Sequence, residues 1–234
     1  IYRQQRGYMS KNVITISGQY GSNGDKIATY LAGRLHWQLI DDNIKRLVAD
    51  ELELPEEDVA MHDQHAYGFI DRCLITMAAN TIDLCPDMAH ITLSFKEQEQ
   101  FYRQAQQHII EKIAQAGDAV IVGRGSQILL AQRPDVLHIR VVAPLMQRIH
   151  HVMQHEQISE KHAKVLIQQQ EHRLAYYHKT LHGCSVDDPQ LYDLVLNSRS
   201  FMLENQLDLI CQALENSQPA PAKSHAPILY YTPG

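Results

Sequence analysis

The stretch that decides the fold covers residues 13–28 and reads VITISGQYGSNGDKIA. Its first five residues, VITIS, are mainly β-branched and are followed by a glycine, which is typical of a short buried strand. A glycine-rich segment, residues 18–24, comes next, and apolar residues then recur at helical spacing over residues 26–35. A strand, a glycine loop and a helix in this order open a βαβ unit.

The glycine loop (residues 18–24) has the composition of an anion site. Such a loop directs several backbone N–H groups toward one point, where the helix N-terminus adds its partial positive charge. We therefore predict that nucleotide phosphates are held by Gly18, Gly21, Ser22, Asn23, Gly24 and Asp25. An ordinary turn is the alternative that the loop by itself leaves open.

The loop departs from the pattern GxxxxGK[ST]. Asn23, Gly24 and Asp25 stand where that pattern requires Gly, Lys and a hydroxyl. Lys26 lies two residues beyond the expected lysine, and in a longer loop it would replace that lysine. Ile27 would then occupy the position of the hydroxyl that binds magnesium.

The remainder of the chain continues the alternation of strands and helices. Strands are predicted at 38–40, 119–122, 136–142 and 194–196, and helices at 145–155, 159–179 and 202–216. The segment between 43 and about 115 is predicted to be mainly helical. Apolar strands that alternate with helices indicate an α/β fold with a parallel sheet covered on both faces.

Length and composition limit the function classes. The 234 residues suit one domain over 12–216, with an N-terminal extension over 1–11 and a loose tail over 217–234. A net charge of -6 gives no broad basic field, so duplex nucleic acid is a poor partner. No apolar run approaches the ~20 residues that span a bilayer. We therefore expect a cytoplasmic protein that binds small molecules; the sequence leaves its oligomeric state open.

Six motifs in this order resemble the cytidylate-kinase-like family. They are ITISGQYGSNGDKIA (14–28), LIDD (39–42), VIVGRGSQILL (120–130), HIRVVAPLMQRI (138–149), QEHRLAYYHKTLHG (170–183) and DDPQLYDLVLNS (187–198). The resemblance implies a P-loop NTPase three-layer sandwich, with a helical acceptor-binding segment over about 55–116 and a helical lid over about 156–183. It also implies transfer of the γ-phosphoryl group of ATP to CMP, dCMP or a similar nucleotide, with Mg²⁺.

The resemblance assigns roles to side chains. Arg124 matches the arginine that binds the acceptor phosphate, a task that suits the charged guanidinium fork. Arg173 matches a lid arginine that neutralises charge during transfer, and Lys26 completes the predicted catalytic set. The other predicted acceptor-binding residues are Asp41, Arg148, Asp193 and Asn197. Asp193 and Asn197 are placed near the end of the last strand, where capping is their alternative role. The predicted metal ligands are Asp25 and Asp41.

Three departures from the family pattern weaken the predicted catalysis. The lysine is out of register, Val122 stands where cytidylate kinases have an acid, and Arg173 is followed by LAYY instead of further arginines. Each lost donor typically costs roughly 100- to 1000-fold in rate. Lys179 and His178 are candidates to compensate. The alternative function is a catalytically weak nucleotide-binding module that senses nucleotides or regulates a partner.

Overall fold

A five-stranded parallel sheet forms the centre of the molecule in a computed structural model, which describes residues 11–41, 43–52 and 103–217. The strands are β1 (Val13–Gly18), β2 (Gln38–Ile40), β3 (Ala119–Val122), β4 (Val136–Val142) and β5 (Leu194–Asn197), in the order β2-β3-β1-β4-β5. The predicted parallel sheet and α/β class are confirmed. Residues 1–10, 53–102 and 218–234 lie outside the described residues. They include most of the predicted N-terminal extension (1–11), of the predicted acceptor-binding segment (about 55–116) and of the predicted tail (217–234).

Seven helices complete the described elements: α1 (Gly24–Leu35), α2 (Ile44–Leu52), α3 (residues 103–116), α4 (Ser126–Leu129), α5 (Leu145–Glu156), α6 (Glu160–His182) and α7 (Leu203–Asn216). A 3₁₀ turn lies at Pro189–Leu191. The side chain of Ser159 caps α6 by accepting a hydrogen bond from the backbone N–H of His162. The helix ends at His182, three residues beyond the predicted position, and Gly183 caps it with the left-handed φ of 64°.

One face of the sheet carries the main apolar core. The parallel register places Ile14 beside Leu137 and Ile16 beside Ile139, and all four side chains are buried. They pack with residues of α1 and α7, namely Ile27, Ala28, Leu31, Ala32, Leu207 and Ile210. Each large side chain buried in this way contributes about 1.5–3 kcal/mol. This core fixes the start of α1 relative to β1, and with it the two ends of the glycine loop.

The opposite face of the sheet is polar yet buried. Thr15 and Ser17 of β1 lie beside His138 and Arg140 of β4, and all four are at most 4% exposed. Thr15 Oγ1 and His138 Nδ1 are 2.7 Å apart and share a hydrogen bond. The alternation in VLHIRVV therefore separates an apolar face from a polar one.

The chain divides into two compact units, one of Ile1–Asp41 with Ile113–Gly234 and one of Asp42–Lys112. In the described part of the second unit, Glu51 of α2 accepts a hydrogen bond from Lys112 Nζ at 3.1 Å. Among the described residues of this unit, the buried apolar side chains are Ile44, Val48, Ala49, Ala105, Ile109 and Ile110. Across the parts of the chain that can be described, no helix combines the length and apolar character needed to cross a membrane.

Candidate functional site

The glycine loop connects β1 to α1 by a tight turn. A methyl group added at Gly24 would lie 3.3 Å from Cα of Gly18, so the two ends of the loop nearly touch. Gly21 and Asn23 adopt left-handed backbone conformations, with φ of 79° and 66°. Glycine reaches such angles without strain, and asparagine tolerates them better than most residues do. The turn therefore depends on the residue types present.

Several donors converge at the end of this turn. The amides of Gly24, Asp25 and Lys26 open α1, so they have no acceptor within the helix. The hydroxyl of Ser22 is buried and has no hydrogen-bond partner among the described residues. Because buried polar groups are nearly always satisfied, these groups fit the oxygens of a bound anion such as a polyphosphate.

The register of the loop is fixed by the core. Ile27 is fully buried in the main apolar core, and its backbone N–H donates to Asn23 O at 3.0 Å. Lys26 and Asp25 precede it in the first turn of α1, and both side chains are exposed. A loop lengthened to bring Lys26 into the usual lysine position would have to pull Ile27 out of the core. Any contact of Lys26 with phosphate must therefore come from the helix itself.

Arg148 of α5 ties the glycine loop to the helical hairpin formed by α5 and α6. Its Nε donates to Ala143 O at 3.1 Å, and its Nη1 donates to Glu171 Oε1 at 2.6 Å and to Tyr20 O at 3.4 Å. The side chain is 7% exposed. These hydrogen bonds differ from the acceptor-binding role that was predicted for Arg148, because its guanidinium donates to groups of the protein. We assign Arg148 a tethering role instead.

Tyr20 joins the same hairpin. It packs against a second apolar cluster made by Ile149, Val152, Ala163 and Ile167. Its hydroxyl donates to Glu156 Oε1 at 3.4 Å, and the pKa of Tyr20 is raised by burial first and by Glu156 second. The glycine loop thus packs against α5 through Tyr20, and the conformation of the loop depends on this contact.

Arg124 lies in a strained loop at the end of β3. Gly123, Arg124 and Gly125 have successive φ angles of 65°, 60° and 67°. A left-handed conformation at a residue with a side chain costs about 1–2 kcal/mol, and such strain concentrates at functional sites. Since β3 pairs with β1 in parallel, this arginine loop (residues 123–125) and the glycine loop leave the sheet at the same carboxyl edge.

Helix α6 contacts the arginine loop near its C-terminal end. A methyl group at Gly125 would lie 3.1 Å from His182 Nε2 and 3.4 Å from the hydroxyl of Tyr177. Arg173 lies on the same helix, one turn before Tyr177, and its side chain is exposed. The position of Arg173 relative to the arginine loop therefore depends on how α6 packs against that loop.

Asp41 and Asn197 both lie at the carboxyl edge. Asp41 follows β2, whose Ile40 pairs with Ile121, and it is half-buried. Asn197 ends β5, and its side-chain oxygen accepts a hydrogen bond from the backbone N–H of Arg199 at 3.1 Å. The capping alternative for Asn197 is therefore observed.

The carboxylates near the glycine loop suit a nucleotide-borne Mg²⁺ ion and not a resident metal site. Within the described part of the chain, no group of three or more His, Cys, Asp or Glu side chains could hold a metal ion. Mg²⁺ usually keeps several waters and takes one or two carboxylates together with substrate phosphates. Asp25 and Asp41 fit an ion that arrives with a nucleotide better than a resident metal.

Asp193 lies at the amino edge of the sheet, whereas the prediction placed it at the carboxyl edge, where ligands approach. It immediately precedes β5, and its Oδ2 accepts hydrogen bonds from Lys11 Nζ and His138 N, each at 2.9 Å. Parallel strands all begin at one edge, so the beginning of β5 is remote from the glycine loop. The prediction that Asp193 lies where ligands approach is wrong, and the residue joins the chain before β1 to the sheet.

Breaking this ion pair should destabilise the protein without affecting nucleotide binding. Lys11 is 5% exposed in the pair, so Asp193→Asn would leave a buried ammonium without its counter-charge. We expect a loss of about 3 kcal/mol in the free energy of unfolding, measured by urea denaturation. The matched control is Asp208→Asn, which breaks the exposed pair with Arg34 and should cost less than about 1 kcal/mol. Equal effects of the two variants would contradict the assignment.

A buried polar cluster that the sequence did not reveal lies on the polar face of the sheet. It contains Ser17, Gln127, Arg140, His178 and Tyr192. Arg140 Nη1 donates to Ser17 Oγ at 2.9 Å, and Gln127 Nε2 and His178 Nε2 are 3.5 Å apart. The alternating polar residues of β1 and β4 are the signal that could have found half of it.

His178 is neutral in the folded protein. It is 1% exposed, and burial first, then the charges of His182 and Arg140, lower its pKa to about 4. A neutral imidazole cannot supply the missing positive charge, so the prediction that His178 compensates for the lost lid arginines is wrong.

The pKa of His178 predicts acid sensitivity. Its pKa rises from about 4 in the folded state to 6.5 on unfolding, so the unfolded chain binds the proton more tightly. The stability from His178 is therefore complete above pH 6.5 and is lost as the pH falls toward 4. Between pH 7 and 4.5 the loss should be about 2–3 kcal/mol. His178→Gln should flatten this slope in urea unfolding, whereas exposed His172→Gln should not; equal slopes would contradict the burial of a neutral imidazole.

Comparison with known proteins agrees with this architecture. Among solved structures, an uncharacterized protein from Eubacterium ventriosum ATCC 27560 superimposes with a TM-score of 0.60 at 17% identity, over 88% of this chain and 99% of that one. Shikimate kinase from Bacteroides thetaiotaomicron gives a TM-score of 0.47 at 10% identity, over 87% and 98% of the two chains. Dephospho-CoA kinase from Campylobacter jejuni gives 0.39 at 14%, over 88% and 98%. The likeness to the Eubacterium ventriosum protein shows a shared fold.

Sequence comparison gives the family. A search of curated proteins found no match. The family model described as cytidylate kinase-like matches residues 13–200, which span β1 to the segment after β5 and include both the glycine loop and the arginine loop. The chain therefore belongs to the cytidylate kinase-like family.

Proposed function

We propose that this protein transfers the γ-phosphoryl group of ATP to a nucleoside monophosphate, most directly CMP or dCMP. The proposal depends on the glycine loop. There the first-turn amides of α1 and the unpaired Ser22 hydroxyl are donors that could bind one anion. Family membership supports a phosphotransferase, and the acceptor comes from the resemblance to cytidylate kinases. The helical segment that would contact the base lies mainly outside the described residues.

The proposed chemistry needs positioning and charge neutralisation more than a covalent group. The glycine loop would hold the β- and γ-phosphates of ATP, while Arg124 would bind the acceptor phosphate at the neighbouring strand end. Arg173, exposed on α6, would approach the transferred group when this helix covers the site. Covering the site would also exclude water, which otherwise competes as the acceptor.

Mg²⁺ would be held by nucleotide phosphates together with Asp25 or Asp41, and when bound it supplies positive charge to the phosphate oxygens. Val122 packs against the main apolar core, so no carboxylate stands at that position to help.

Acceptor-dependent release of ADP tests the function. The full chain is incubated with ATP and Mg²⁺ and with CMP, dCMP, UMP, AMP or no acceptor, and ADP is followed by a coupled assay. We expect release above the no-acceptor rate with CMP or dCMP. Tight ATP binding without acceptor-dependent release of ADP in the presence of any of these acceptors would overturn the kinase proposal and leave a nucleotide-binding module.

Lys26 provides a sharper test of the ATP site. A charged hydrogen bond to phosphate is worth about 1.5–3 kcal/mol, so Lys26→Met should weaken ATP binding about 10- to 100-fold in isothermal titration calorimetry. Lys161→Met, which removes an equally exposed lysine from α6, is the control and should leave the affinity unchanged. If Lys26→Met binds ATP as the unmodified chain does, the lysine takes no part in holding phosphate.

A further inference from the structure

Arg140 lies just below the glycine loop in an unusual environment. In the parallel register it pairs with Ser17, the residue before Gly18. Its Nη1 donates to Ser17 Oγ at 2.9 Å, its Nη2 donates to Asp187 Oδ1 at 2.9 Å, and its Cζ lies 5.9 Å from the centre of the Tyr192 ring. The charged group is thus held at a defined point on the polar face of the sheet.

Three polar atoms around this point lack a hydrogen-bond partner among the described residues. They are Arg140 Nε, His178 Nδ1 and Gln127 Oε1, and the three residues are 4%, 1% and 1% exposed. They come from β4, α6 and α4. An unsatisfied buried polar atom costs about 1–3 kcal/mol, so three in one cluster indicate a place where a polar group binds. Arg140 Nε is a donor and fits an anionic oxygen of that group, whereas Gln127 Oε1 is an acceptor and fits only a hydroxyl of it.

Asp187, which supplies the counter-charge of Arg140, is far more exposed to solvent than Arg140 itself. In their ion pair, the Arg140 side chain is 5% exposed, whereas that of Asp187 is 70% exposed. A buried guanidinium is stabilised by an anion beside it, because an uncompensated buried charge is costly. An exposed carboxylate, by contrast, is already largely hydrated in the pair and stays hydrated when it leaves. Another anion can therefore replace Asp187 at small cost.

We propose that Arg140 binds the phosphate group of the acceptor, and that Asp187 occupies this position in its absence. The inference rests on the proposed function for the identity of the ligand as the acceptor. The guanidinium fork and the Ser17 hydroxyl match such a group. Gln127 comes from α4, which directly follows the arginine loop, whereas α1 packs on the other face of the sheet. Arg140 therefore faces the side assigned to the acceptor and not the side assigned to ATP.

The test removes the internal competitor. Asp187→Asn in the full chain is titrated with inorganic phosphate, acetate and CMP, and binding is followed by the ¹⁵Nε–Hε signal of Arg140 in NMR spectra. If Asp187 leaves the position open about one-tenth of the time, its removal should tighten binding about tenfold. A gain for phosphate and CMP identifies a phosphate site and supports the proposal, whereas a gain for acetate alone would overturn it, because a nucleoside monophosphate has no carboxylate.

Asp208→Asn removes the same charge from an exposed ion pair and controls for a general rise in anion affinity. No gain for any probe beyond this control would overturn the proposal and leave a structural ion pair. If Asp187→Asn is unfolded in chloride buffer, rescue by phosphate supports the site, and absence of rescue overturns it. Tighter anion binding without acceptor-dependent ADP release would refute the kinase proposal alone; ADP release without tighter binding would refute the Arg140 site alone.

Discussion

Replacing Gly21 with alanine is expected to abolish ATP binding and to destabilise the protein by about 2–5 kcal/mol. A methyl group at this position would lie 2.8 Å from Val152 Cγ2 and 2.9 Å from the carbonyl oxygen of Arg148. The backbone carbonyl belongs to α5 and cannot move aside, so the loop itself must shift. Left-handed strain contributes about 1–2 kcal/mol and overpacking about 1–3 kcal/mol.

The same substitution at Gly33 is the matched control. Gly33 lies in α1, is exposed, and a methyl group there would meet nothing within 4 Å. Alanine favours the helix by about 0.5–1 kcal/mol, so Gly33→Ala should raise stability and leave ATP binding unchanged. Urea denaturation and calorimetric titration with ATP measure both quantities. A Gly21→Ala protein that binds ATP normally would show that the loop conformation is not required.

Substitutions of Arg124 should lower activity and change stability by separate mechanisms. Arg124→Ala and Arg124→Gly both remove the guanidinium and should lower acceptor-dependent phosphoryl transfer roughly 100- to 1000-fold. The two variants differ only in the side chain at a φ of 60°, where glycine is unstrained and alanine is not. Arg124→Gly should therefore be more stable than Arg124→Ala by about 1 kcal/mol.

His36→Gly controls for relief of backbone strain. His36 has a φ of 56° at the end of α1, at the edge of the sheet away from the glycine loop. This variant should keep normal transfer while relieving similar strain. If Arg124→Gly retained full activity in the ADP-release assay, Arg124 would not bind the acceptor. If Arg124→Gly and Arg124→Ala were equally stable, the left-handed conformation would not be strained.

The sheet and the glycine loop could be predicted because local pattern determines them. VITIS, the glycines and the apolar spacing of α1 act within one stretch of chain, and AVIV and VLHIRVV are apolar enough to be recognised as strands. Helix α4 has four residues, too few for a helical period to appear. Its absence from the prediction follows from its length.

The contacts of single side chains could not be predicted in the same way. Asp193 pairs with Lys11 across 182 residues of sequence, and Arg148 reaches both Glu171 and Tyr20. Such partners are chosen by tertiary packing, which leaves no local signal. The same holds for His178, which is buried although α6 has a mainly polar sequence. The sequence thus identified the carboxyl edge of the sheet but not which charges are already paired there.

The proposed function depends above all on the amides at the start of α1, which we expect to bind the polyphosphate of a nucleotide. The most direct measurement is a ¹H–¹⁵N correlation spectrum of the full chain titrated with ATP and Mg²⁺. We expect saturable shifts of the amide signals of residues 20–26, larger than those of residues near Asp193 at the opposite edge. Signals of residues 20–26 that stay in place at millimolar ATP would contradict it.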